Sequence, residues 1–116
     1  MPFVSSRAWQ LRVQDILNAI DQVQQRLEGL DFDAFAINTV LVESIVYQFI
    51  VIGEASANIP DDIKALAPEL PWRQMTDMRN MMAHEYFRVN LAIVWETAQN
   101  NLLPLVEPLK KLSMTP

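Results

Sequence analysis

Residues 40–60 read VLVESIVYQFIVIGEASANIP, and from Val40 to Ile52 their apolar side chains fall on nearly every side of a helix. A helix that is apolar all round is normally buried between other helices. This one therefore belongs at the centre of a helical bundle, and its apolar girth suggests contact with a second subunit. Its start falls near Asp31 or Asp33 and its end near Asn58, because Ile59 precedes Pro60 and is pushed out of helical geometry.

The flanking segments agree with a bundle. Trp9, Val13, Ile16, Ile20, Val23 and Leu27 recur at steps of 4, 3, 4, 3 and 4, which lines one helical face. Ser5 or Ser6 can cap that helix and Gly29 suits its end. Asp61 to Ala67 can form a short helix, punctuated by Pro68 and Pro71 in PELPW. A third long element starts near Trp72 and carries Met75, Met78 and Met82 along one face, as core fillers rather than ligands. A last helix starts at the capping residue Asn90. It places Leu91, Val94, Trp95, Ala98, Leu102, Leu105, Leu109 and Leu112 on one stripe, with Pro104 and Pro108 set to kink or fray it. No run alternates apolar and polar residues as a strand does, and only Gly29 and Gly53 are glycines, so the class is all-α.

A chain of 116 residues suits one domain spanning 1–116, with roughly two-thirds of its unfolded surface buried. The absence of cysteine removes disulfides, thiolate zinc sites and cysteine nucleophiles, and points to a reducing, cytoplasmic setting. The start lacks a signal-like apolar run, and the nearly uncharged stretch Ser44–Gly53 is too short to span a bilayer, so neither secretion nor a membrane is expected. Hydrophobic residues make up 51% of the chain and charged ones only 20%, so some apolar surface should meet a partner subunit. A formal charge of -5 excludes broad electrostatic attraction to nucleic acid. Contact with nucleic acid would be local, through a few arginines, and Arg73, Arg79 and Arg88 could make a local positive spot.

Chemistry concentrates in RNMMAHEY at 79–86, which holds the only histidine, His84. Arginine offers a planar cationic fork for phosphate, histidine exchanges a proton near neutral pH, and tyrosine supplies a hydroxyl. That trio suits phosphodiester cleavage in RNA, where the neighbouring 2'-hydroxyl is a built-in nucleophile and no metal or cofactor is needed. On one continuous helix, however, Arg79 and His84 lie about 140° apart, while Asn80 and His84 share a face. Either the helix ends near His84 or a second copy completes the site. An ordinary helix end accounts for the same residues: His84 as a cap, Arg79 paired with Asp77 or Glu85, and Tyr86 packing its ring. Glu43 and Glu54 lie on similar faces of the central helix, but a metal site needs more ligands, and the absence of any Glu-x-x-His argues against a di-metal bundle.

Three strings, VESIVYQFIVIGEASANIPDDI, PELPWRQMTDMRNMMAHEYF and IVWETAQNNLLPL, resemble the HepT-like members of the HEPN superfamily along most of the chain. The family hallmark is Arg, four to six residues, His, one residue, Tyr, and Arg79, His84 and Tyr86 fill it with four residues intervening. The IGEA run at 52–55, Pro71–Trp72 and Arg79–Asn80 are further marks in the usual order. The resemblance implies an antiparallel bundle of four to five helices that forms a homodimer or a higher oligomer, with both copies of the segment lining an interface cleft. It also implies a metal-independent endoribonuclease, the toxin of a type VII toxin-antitoxin pair. A nucleotidyltransferase antitoxin of the MntA type would neutralise it by transferring AMP to Tyr86. Arg79 would then steady the scissile phosphate and His84 exchange the proton, with Asn80 and Tyr86 orienting the RNA. Glu54 either supports Arg79 from the neighbouring helix or is a solvated carboxylate. The alternatives are a non-catalytic module that docks a nucleotidyltransferase, and a plain helical dimerisation unit.

Overall fold

A computed structural model describes the backbone of residues 2–84 and 90–116 and the side chains of residues 8–80 and 90–116. Among the described residues the chain is helical with no strand. The elements are α1 (Pro2–Leu27), α2 (Phe32–Ile37), α3 (Thr39–Ala57), α4 (Asp61–Lys64), α5 (Trp72–His84), α6 (Leu91–Asn100), a 3-10 turn (Leu103–Leu105) and α7 (Val106–Ser113).

The repeating apolar face of α1 is the first wall of the core. Trp9, Val13, Ile16, Ile20, Val23 and Leu27 are all buried, and Gly29 closes the helix with φ +78, a left-handed conformation that glycine adopts without a Cβ penalty. The helix already runs from Pro2, ahead of Ser5 and Ser6, so neither serine is its cap.

The expected single helix from Asp31 or Asp33 to Asn58 is two helices. Asp31 caps α2 by accepting a hydrogen bond from Ala34 N at 2.8 Å, and Asn38 accepts from Leu41 N at 3.0 Å. Asn38 has ψ 94, outside helical geometry, so the same residue ends α2 and starts α3. A short polar side chain that satisfies free amide donors makes such a break inexpensive.

Helix α3 is central, packed against α1, α2 and α5. Ile45, Phe49 and Ile52 are fully buried and Ala55 nearly so. The whole helix Thr39–Ala57 is long and apolar enough to cross a membrane by length and composition, contrary to the sequence expectation drawn from Ser44–Gly53 alone. Glu43 and Glu54 fall within the charge such a span tolerates. One third of its positions are buried, and the helix packs against α1, α2 and α5. The other side stays open: Val40 is 76% exposed and Tyr47 62%, and Ile37 in α2 is 84% exposed. Val40, Tyr47 and Glu54 are spaced by seven residues and so share one face of α3.

At the C-terminal end Asn90 caps α6 as expected, accepting from Ala92 N at 3.1 Å and Ile93 N at 3.2 Å. The stripe holds, with Val94, Ala98, Leu102, Leu105, Leu109 and Leu112 buried, but the segment breaks at Asn100. Pro104 lies in the first positions of the 3-10 turn and Pro108 in the first turn of α7, where a missing amide donor costs nothing. Phe35 and Trp95 stack at 5.5 Å between ring centres and join α2 to α6.

Burial dominates the energetics. Each fully buried Phe, Ile or Val contributes about 1.5–3 kcal/mol, whereas exposed pairs such as Lys110–Glu107 contribute about 1 kcal/mol at most.

One contact sets the packing of α3 on α5. A Cβ on Gly53 would lie 2.5 Å from the Arg79 backbone nitrogen and 2.6 Å from the Arg79 Cβ. Alanine is the better helix former by about 1 kcal/mol, but overpacking against backbone costs about 3 kcal/mol. Gly53→Ala should therefore lower stability by about 2 kcal/mol in chemical denaturation; an unchanged or raised midpoint would contradict this packing.

Candidate active site

Helix α5 divides its residues by face. Met75 and Met78 point into the core; Trp72, Thr76 and Arg79 are half-buried; Arg73, Gln74, Asp77 and Asn80 are exposed. The Trp72 indole Nε1 donates to the Ala67 carbonyl at 3.0 Å, and Met75 N donates to the Pro71 carbonyl at 2.9 Å. These bonds fix the start of α5 immediately after the PELPW turn.

Arg79 Nη1 donates to Glu54 Oε1 at 3.2 Å across the α3–α5 contact. The Arg79 side chain is 34% exposed and that of Glu54 57%, so the pair lies at the surface among the described residues. Of the partners considered from sequence, Asp77 does not pair with Arg79 and Glu85 lies outside the described residues. Gly53 immediately precedes Glu54, so the residue that admits the α5 backbone and the one that meets its arginine are adjacent. Sequence reasoning gave Gly53 no mechanical role; a lone glycine inside an otherwise apolar helix was the available signal.

Asn80 is exposed beside Arg79, one helical turn before His84. Helix α5 is described as far as His84, and the expectation that the helix ends there or that a second copy completes the site falls on residues 85–89, which lie outside the described residues. The side chains of His84 and Met82 lie outside the described residues, as do Tyr86 and Arg88. Arg73 is exposed but lies six residues before Arg79, about 9 Å along the helix and about 120° around it, so the two do not form one cationic spot. Glu43 is also exposed on α3. Among the described residues no group of three or more acidic or histidine side chains could hold a metal ion. A cleft of about 490 Å³ between α5 and α6, lined by Gln74, Met75, Asp77, Met78, Ile93 and Thr97 among others, includes neither Arg79 nor Glu54.

Residues 16–112 match the family model described as Ribonuclease HepT-like. The chain belongs to the HepT-like ribonuclease family. It is 34% identical over 100 residues to "Probable ribonuclease HepT" of Thermococcus cleftensis, covering 86% of this chain and 91% of that protein. It is 31% identical over 100 residues to a "Putative RNase" of Caldanaerobacter subterraneus subsp. tengcongensis, covering 86% and 89%. A "Putative RNase" of Methanocaldococcus jannaschii is 31% identical over 98 residues, covering 84% of each chain. No solved structure matches the chain significantly. The HepT-like match begins in the middle of α1 and ends in α7, so it contains Gly53, Glu54 and Arg79.

The Arg79–Glu54 pair is too exposed to hold the fold together. In a double-mutant cycle with Arg79→Ala and Glu54→Ala, the coupling energy in thermal or urea unfolding should stay below about 1 kcal/mol. A coupling of several kcal/mol would show a structural pair instead.

Proposed function

We propose that this HepT-like chain is a metal-independent endoribonuclease in which Arg79 and His84 carry the chemistry. The observation that supports this most is the placement of Arg79: a part-exposed side chain held on α5, five residues before the histidine on the same helix, in a chain of a ribonuclease family.

The reaction follows from RNA itself. A 2'-oxygen attacks the adjacent phosphorus as His84 takes its proton; the P–O5' bond breaks, and the leaving 5'-oxygen receives a proton in return. The products are a 2',3'-cyclic phosphate and a 5'-hydroxyl. Negative charge builds on the non-bridging oxygens at the transition state, where a positioned guanidinium is most useful. Proton transfer by a placed imidazole adds roughly 10²- to 10⁴-fold. Asn80, exposed on the face that leads to His84, orients the RNA together with Tyr86.

The working form is a homodimer or a higher assembly. The exposed Val40 and Tyr47 lie on the α3 face that runs down to Glu54, so apolar surface leads directly to the site. Two copies meeting there would bring two Arg79–His84 segments to one cleft. The chain acts as a single cytoplasmic domain and as the toxin of a type VII pair. A nucleotidyltransferase of the MntA type silences it by joining the α-phosphate of ATP to the Tyr86 oxygen with release of pyrophosphate. The added anion blocks the cleft and repels RNA phosphate.

Purified chain should cleave RNA in excess EDTA, and His84→Ala should lower the rate at least about 100-fold while circular dichroism and sedimentation stay unchanged. Full activity in the His84 variant would reject the assignment. RNA or nucleotidyltransferase binding without any cleavage would favour a non-catalytic docking module.

A further inference from the structure

We propose that Glu54 is a positioning residue for Arg79: its carboxylate grips one corner of the guanidinium and leaves the remaining edge free for an RNA phosphate. This rests on the reading of Arg79 as the phosphate-binding cation. It goes further in assigning how that cation is aimed.

Three observations carry the inference. First, the contact is single, Nη1 to Oε1 at 3.2 Å. A guanidinium has five N–H donors in a fixed planar fork, and a carboxylate that took two parallel bonds would occupy the edge that phosphate prefers. One bond orients the plane and spares the rest of the fork. Second, the backbone beneath the pair is fixed. Gly53 has no room for a Cβ against Arg79 N and Cβ, so the α-carbons of Glu54 and Arg79 keep their separation within the limits of helix packing. The long arginine side chain, with its large rotamer freedom, is the remaining variable, and Glu54 restricts it. Third, the pair is half-exposed, with 34% of the Arg79 and 57% of the Glu54 side chain accessible. An ion pair in that setting adds little to folding, which leaves orientation as its principal effect.

Positioning is also favoured over simple competition. A carboxylate that blocked the cation would neutralise it by facing the fork. Here Glu54 projects from the neighbouring helix and touches a single terminal nitrogen, so phosphate can bind beside it rather than in its place. Because the interaction is a hydrogen bond to an oxygen at a defined distance, a neutral amide oxygen of the same length can replace it. That gives the proposal its signature.

The test compares Glu54→Ala and Glu54→Gln in the full chain, using the initial rates of cleavage of an RNA oligonucleotide and the side-chain Nε–Hε resonance of Arg79 in 15N NMR, assigned by its absence in Arg79→Lys. Glu54→Ala should lower kcat about fivefold with KM altered less than about twofold, and should move the Arg79 resonance to the position of a free arginine. Glu54→Gln should restore both. Unchanged kcat in Glu54→Ala, equal losses in the two variants, or a fall in KM at constant kcat would each overturn positioning. If the parent chain cuts no RNA, the nuclease reading fails separately. The resonance then decides alone: a shift in Glu54→Ala reversed in Glu54→Gln supports positioning, and an unmoved resonance overturns it.

Discussion

Where α3 meets α5, the backbone of Arg79 occupies the space that a side chain on residue 53 would fill. Only glycine permits that approach. Much of the rest depends on it: the depth to which Met75 and Met78 enter the core, the meeting of Arg79 with Glu54, and the level at which α5 carries His84. A wider separation would cost core contacts and leave the arginine beyond the reach of the carboxylate. The constraint is steric, and its consequence is electrostatic. A charged side chain at the surface is anchored by a close approach between two helix backbones.

That arrangement also reconciles an acidic chain with an anionic substrate. A net charge of -5 gives no long-range attraction to RNA, and in the proposed function recognition comes from a cation held where phosphate will be rather than from a basic surface. Arg73 lies too far around α5 to help, and Glu54 reduces the local positive charge further. Such a site gives up encounter rate and gains orientation, which suits an enzyme that must discharge one phosphodiester at a time.

How much was visible beforehand depended on whether the cause was local. The buried faces of α1 and of α6 with α7 were legible because steps of three and four residues reflect helix geometry directly, and the residues named from those steps are buried except Leu91 and Trp95, which are partly buried against the core. The cap at Asn90 was legible for the same reason. The break at Asn38 was not, because Ile37, Asn38 and Thr39 interrupt a helical pattern only by hydrogen bonding, and the apolar spacing continues through them. Pro104 and Pro108 marked the right region, but the choice between a kink and a 3-10 turn depends on how Leu102, Leu105 and Leu109 find the core together. The partner of Arg79 stayed open between residues near in sequence and Glu54, since nothing in a one-dimensional spacing says which helices touch. Membership of the HepT-like family was legible in the IGEA, PW and Arg-x4-His-x-Tyr marks, and the match over residues 16–112 agrees with it.

If RNA is cut by its own 2'-oxygen, with a guanidinium and an imidazole of this chain in attendance and no metal ion, the cut ends carry the signature of that reaction. The chemistry of the cut ends tests it most directly. Fragments produced by the purified chain in EDTA should carry 5'-hydroxyls, accept phosphate from a polynucleotide kinase without prior treatment, and end in 2',3'-cyclic phosphate by mass. Fragments bearing 5'-phosphates and free 3'-hydroxyls, or cleavage that stops when divalent metal is removed, would contradict it.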